Sequence, residues 1–184
     1  MKRYLLAASI AALVTCTAQA STNIAAGLPS SSYSESGTWA GLTAETLFND
    51  SWWNAGTNGS QWVQVDLLGT ASITGISYIT QQLPNDNIWQ KVYISDTPIG
   101  NNWGSLTPVV TYSGYTVNNS QIAFSFGAIT GRYVQIVVNN GPTSWTALAN
   151  AKVVGSVPEP ATYAMLGAGL GLIGFAARRR RTSI

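Results

Sequence analysis

Between residues 61 and 155, apolar side chains recur at every second position, in short runs broken by Gly, Asn and Pro. A period of two belongs to a strand with one face buried, not to a helix. In "QWVQVDLL" (61–68), Val63, Val65 and Leu67 fall on one face, and Trp62, Gln64 and Asp66 on the other. In "RYVQIVV" (132–138), Val134, Ile136 and Val138 alternate with Tyr133, Gln135 and Val137. The segments "SITGISYIT" (72–80), "WQKVYIS" (89–95), "PVVTY" (108–112), "QIAFSF" (121–126) and "ANAKVVG" (149–155) also read as strands. No segment between 21 and 155 has a long amphipathic helical pattern, and no internal repeat is visible. The spacing predicts an all-β domain, an antiparallel sandwich or barrel.

The two ends of the chain read differently. "MKRYLLAASIAALVTCTAQA" has a basic start at Lys2 and Arg3, an apolar centre and a small-x-small site at Ala18-Gln19-Ala20. That is a secretory signal peptide over residues 1–20. A competing reading is a lipoprotein signal ending at Cys16, before which Thr15 is a poor residue. Cys16 is the one cysteine of the chain, and there is no histidine. The exported part then has no disulfide, no reactive thiol and none of the commonest zinc ligands.

At the other end, Ala161 to Ala177 carries no charge, and Arg178, Arg179, Arg180 and Arg181 follow at once. As a helix this stretch spans about 25 Å, near the thin limit for a membrane core. The arginines hold their end in the cytoplasm. A buried core helix is the plainer alternative, but it gives four consecutive arginines no role. Together with Val157-Pro158-Glu159-Pro160, these elements closely resemble the PEP-CTERM sorting signal, here residues 156–184. The resemblance implies a Gram-negative bacterium that makes exopolysaccharide. It also implies an exosortase that processes the tail at the inner membrane, after which the domain resides at the cell surface or in the extracellular matrix. A permanent C-terminal anchor has the same sequence physics.

Residues 21–155 suffice for one domain with a core. Lys91, Arg132 and Lys152 stand there against Glu35, Glu45, Asp50, Asp66, Asp86 and Asp96, so the domain is acidic although the whole chain is +2. Nothing suggests a nucleic-acid partner, which needs a basic face. All seven tryptophans fall inside this stretch.

The order of fragments "AETLFNDSWWN", "GSQWVQVDLLGTASITGISYI", "WQKVYISDTPIGNNW", "FSFGAITGRYVQIVVNN" and "TALANAKVVG" resembles a discoidin, or F5/8 type C, domain. That resemblance implies a galactose-binding-like jelly-roll sandwich and a ligand site on loops at one end. The corresponding loops here hold Trp52 and Trp53, "QQLPNDNIW" (81–89), "GNNW" (100–103) and "NNGPTSW" (139–145). An indole stacks on the C–H face of a pyranose, and amides and carboxylates meet its hydroxyls. Trp89 and Trp145 are the preferred platforms, with Asp86, Asn87 and Asn140 as polar partners. The plainer reading is that these tryptophans plug the ends of the barrel. Trp62, inside a strand, is assigned to the core. Galactose-binding members often use a histidine, which this chain lacks.

The family often carries a structural calcium, which would place Asp50 of "LFNDS" (47–51) at the metal. The pattern departs at Ala55 and Asn150. Asp66 and Arg132 are expected to serve the scaffold by pairing; the alternative is that Arg132 grips a sugar hydroxyl. Without His or a mature Cys, and with no recognisable carboxylate pair, the chain reads as non-catalytic. The leading reading is an exported polysaccharide-binding protein of a biofilm matrix. The alternative is a structural or protein-interaction module that ignores sugar.

Overall fold

Alternating strands have one apolar face each, and two sheets bury those faces by closing on each other. The computed structural model describes residues 22–157, together with 167, 170 and 171. The expected signal peptide, Pro158, Glu159, Pro160 and the arginines 178–181 lie outside the described residues, as does most of the expected spanning helix. Among the described residues no helix is long and apolar enough to cross a membrane.

The strands are β1 (Thr22–Asn23), β2 (Tyr33–Glu35), β3 (Trp52–Asn54), β4 (Ser60–Thr80), β5 (Asp86–Ser95), β6 (Val110–Thr116), β7 (Gln121–Asn139) and β8 (Ala147–Ser156). A short helix, α1 (Ala44–Phe48), starts in a capping box in which Thr43 and Thr46 each accept from the other's backbone N–H.

β4 and β7 pair along their whole length, but the register jumps between Asp66–Tyr133 and Ala71–Gly131. Residues 67–70 of β4 thus stand opposite Arg132 alone. Extra residues on one strand bend it, and Leu68 turns there with φ 62°. Gly131 is needed on the partner strand, because a Cβ there would run into the Ile94 side chain. Before the bend β4 pairs with β2, while the second half of β7 pairs with β5, and β5 with β6. Past the bend β4 pairs with β8, which holds β1 and β3. Two sheets result, and the two longest strands run through both. The sequence suggested separate strands at 61–68 and 72–80, and at 121–126 and 132–138. Each pair is one bent strand.

The main core lies between the sheets. Val63, Val65, Val92, Val134, Ile136 and Val138 from one sheet meet Ile73, Ile76, Tyr78, Leu148 and Val153 from the other, with Leu47, Phe48 and Trp53 added. Each such side chain contributes roughly 1.5–3 kcal/mol on burial. A second cluster sits on the outer face of the first sheet. There Trp62, Tyr93, Val137 and Ile99 are buried, with Trp89 and Trp103 against them. A 3-10 turn over Gly100–Ser105 covers that face. Gln64 Oε1 accepts from Ile99 N at 2.8 Å, Gln135 Nε2 donates to Gly100 O at 3.0 Å, and Trp62 Nε1 donates to Asn101 Oδ1 at 2.7 Å. Trp62 is thus in a core, as expected, though in the smaller one.

The sandwich has two unlike poles. The bend, with Asp66 and Arg132, forms one. At the other pole the strand ends Asn54, Ser60, Thr80, Asp86, Thr116, Gln121, Asn139 and Ala147 gather, joined by loops 55–59, 81–85, 117–120 and 140–146.

Candidate functional site

The loops at the open pole form an open, concave pocket of about 460 Å³, lined by Trp52, Asn54, Gln81, Leu83, Asn118, Thr143, Ser144, Trp145 and Ala147. This is the size range of small-ligand sites. The lining holds two indoles, three primary amides and two hydroxyls, and no ionisable group. Trp52 is 49% exposed and Trp145 46%.

Local hydrogen bonds fix these side chains. β3 pairs with β8 so that Trp52 faces Ala149 and Trp53 faces Leu148. Strand alternation then sends the two rings opposite ways. Trp53 is fully buried and donates Nε1–H to Gly37 O at 2.8 Å, while Trp52 stands in solvent. Asn54 Oδ1 accepts from Gly56 N at 2.8 Å. Gln81 Nε2 donates to Asn119 Oδ1 at 2.7 Å, and Asn118 Oδ1 accepts from Gln82 N at 3.1 Å. The Nδ2 groups of Asn54 and Asn118 and the indole N–H groups of Trp52 and Trp145 donate to no group among the described residues. The cavity therefore presents fixed amides and unspent donors beside two exposed rings.

The loop carrying Trp145 is tied down from below. Asn140 is fully buried and its Nδ2 donates to Trp145 O at 3.4 Å. Ser144 Oγ accepts from Leu83 N at 3.2 Å, and Asn58 Nδ2 donates to Pro142 O at 2.7 Å. Gly141 takes φ 80°, and a Cβ there would approach Asp86 Oδ2 to 2.7 Å.

Of the residues singled out in the sequence, the structure brings Trp145 and Trp52 to the cavity, puts Asn140 beneath it and buries Trp53 in the core. Asp86 and Asn87 stand at the same pole but outside the lining. They belong to β5, not to a loop, because Asp86 and Asn87 extend the ladder against Thr116 and Tyr115. Trp89 lies elsewhere. It packs on Trp103 at 6.0 Å between ring centroids, under Lys91 Nζ at 5.1 Å, on the outer face of the first sheet. The "GNNW" segment is the cover of that face. Asn54 and Asn118 were missed. The "VNNS" turn (117–120) holds two amides but no aromatic residue, so a search for rings beside amides passed it over.

Asp50 stands apart from the cavity, with an exposed carboxylate 3.7 Å from Lys152 Nζ. Among the described residues no three His, Cys, Asp or Glu side chains gather as a metal site. A calcium ion wants six to eight oxygens, usually with several carboxylates, and a lone carboxylate paired with a lysine does not fit it.

A family model of the PEP-CTERM protein-sorting motif matches residues 156–181. No curated protein matches the sequence. Among solved structures, chitosan-binding module 1 from a chitosanase/glucanase of Paenibacillus sp. IK-5 superposes with a TM-score of 0.52 at 19% identity, over 71% of this chain and 97% of that one. The family 32 carbohydrate-binding module of C. perfringens NanJ, solved in complex with galactose, gives 0.54 at 14% identity, over 66% and 91%. A point mutant of the lectin-binding domain of lectinolysin, complexed with Lewis b, gives 0.54 at 19%, over 75% and 99%. At these identities the likeness is one of fold. A family model described as the F5/8 type C domain matches residues 27–151, most of the sandwich, and the chain belongs to that family.

Proposed function

We propose that this protein is an exported, non-catalytic polysaccharide-binding protein whose ligand lies in the open-pole cavity. The observation that carries the reading is the pair of half-exposed tryptophans, Trp52 and Trp145, set among Asn54, Gln81 and Asn118 in one concave surface. Exposed indoles cost solvation unless a ligand covers them, and a pyranose offers both the apolar face and the hydroxyls that this lining matches. With no ionisable lining residue, the ligand is an uncharged glycan. The same lack leaves no acid or base at the bound sugar to activate the Thr143 or Ser144 hydroxyl. The sorting motif supports export and exosortase processing, with the domain ending at the surface or in an exopolysaccharide matrix.

The test is a glycan panel on the full chain, including the host's own exopolysaccharide, neutral glucans and galactans, alginate and chitosan. Saturable binding of a neutral glycan, weakened roughly tenfold or more by Trp145→Ala or Trp52→Ala with the fold intact, is the expected result. A folded protein that binds no glycan would sink the reading, and release of reducing ends would replace it with a hydrolase.

One observation favours the alternative, a structural matrix module. Residues 121–131 of β7 pair with β4 alone among the described residues, and no charge occurs between Asp96 and Arg132. A long uncharged edge invites pairing with another chain. Concentration-dependent self-association by sedimentation, without glycan binding, would favour it.

A further inference from the structure

A third exposed tryptophan lies beside the cavity and is absent from its lining. Trp39 is 49% exposed, and its ring meets Trp145 at 5.5 Å between centroids, with the planes 65° apart. The backbone holds it in place from three sides. Trp39 N donates to Asn54 O at 2.9 Å, Asn54 N to Leu42 O at 3.2 Å, and Leu42 N to Trp39 O at 3.0 Å. The last bond closes a tight turn in which Ala40 has φ 52° and Gly41 φ 77°. Positive φ at both central residues makes it the primed type that glycine and asparagine favour, so alanine occupies it at a cost. Such strain persists where the surroundings fix it, and it gathers at ligand sites. Gly56, also at positive φ, leaves room for the indole, since a Cβ there would stand 3.1 Å from Trp39 Cβ. A rigid, strained turn therefore displays a large apolar ring to water next to the platform.

We infer that Trp39 forms a second stacking subsite beside Trp145, so that the site takes two adjoining units of one glycan chain and not a single sugar. The inference rests on the carbohydrate reading above. Two rings inclined by 65° cannot both lie flat on one pyranose. They can each lie on one of two successive units, whose faces are turned relative to each other about the glycosidic bond.

The experiment is calorimetric titration of the full chain with glucose, galactose, mannose and fucose, and with di- and tetrasaccharides built from each. The oligosaccharide of the preferred sugar should bind roughly five- to tenfold more tightly than its monosaccharide. Trp39→Ala should abolish that difference and leave monosaccharide affinity unchanged, while Trp39→Phe should keep most of it. Equal affinity for one unit and for several, or a Trp39→Ala variant that weakens both alike, overturns the second subsite and leaves the first. No binding of any of these probes overturns both.

Discussion

Arg132 and Asp66 meet in a two-pronged ion pair at the place where both long strands change sheets. Arg132 Nε lies 2.7 Å from Asp66 Oδ1, and its terminal amine 2.8 Å from Oδ2. Oδ1 also accepts from Leu68 N at 2.8 Å, across the bend itself. The guanidinium also lies over the Tyr133 ring, 5.1 Å from its centroid. The pair expected from the sequence thus exists, and it closes the irregular stretch where the ladder has lost its register. Planar fork-to-carboxylate geometry makes the contact directional, so lysine would not replace this arginine.

The hydrogen bonds from Arg132 hold the Asp66 carboxyl below its ordinary value of 3.8. A depressed folded-state value means stability that is complete above the unfolded value and lost as pH falls through the folded one. Asp66→Asn should lower the thermal midpoint at neutral pH. The gap from wild type should close as pH drops below 3.8. Thermal scans of both proteins between neutral pH and pH 2 check this, and a constant gap would contradict it.

Glu35 has the opposite sign. Burial raises its carboxyl above 4.5, and the hydrogen bond from Ala44 N offsets only part of that. The folded state here prefers the proton. Its contribution is fully present below the unfolded value and is lost as pH rises through the folded one. Glu35→Gln should therefore raise the thermal midpoint at pH 7, and the gain should vanish in acid. The same scans report it.

Gln90 is fully buried on the inner face of β5, and neither end of its amide has a partner among the described residues. An unmatched buried amide costs about 1–3 kcal/mol. Gln90→Met keeps the length and removes the polar atoms. The variant should be more stable by about 1–2 kcal/mol in urea titration, with ligand binding unchanged.

Trp89→Ala separates the two aromatic clusters. Trp89 supports Trp103 and the cover over the outer face, so its removal should cost roughly 1–3 kcal/mol of stability. Glycan affinity should stay within about twofold of wild type, because the ring lies outside the cavity. A large affinity loss at intact stability would restore Trp89 as a platform.

Binding at an uncharged lining should also ignore the solvent's ionic state. Affinity should stay flat between pH 5 and 9, between low and high salt, and with or without a calcium chelator. A steep dependence on any of these, measured by titration with the best neutral glycan, would point to Asp86 or Asp50 as participants.

Alternation alone makes the core legible in the sequence. Val63, Val65 and Leu67 of β4, and Val134, Ile136 and Val138 of β7, all face inward as their spacing requires. The bend was not legible, because Gly69-Thr70-Ala71 reads as an ordinary break between strands 61–68 and 72–80 and the register jump exists only between two strands. The limits of β5 and β6 were missed for a related reason. Asp86, Asn87 and Gly114 have poor strand propensity, yet the ladder continues through them. For the tryptophans, sequence supplied the residue type and not the surroundings. Trp52 and Trp53 are neighbours in one strand, and the pleat alone decides that one is wet and the other dry. Trp89 and Trp145 looked alike until the segment bearing Trp103 was seen to fold over one of them.

Thr22 pairs with Gly155 and Ser72 with Ser156, so β1 begins and β8 ends together beside the bend. β8 starts at Ala147, on the rim of the cavity, and runs ten residues to Ser156. That is about 30 Å of extended chain. Whatever grips the segment after Ser156 holds the domain by the pole away from the cavity. On the proposed reading, processing at the sorting motif, which begins at residue 156, and glycan binding at the cavity would fall at opposite poles of the sandwich, so that handling one need not block the other.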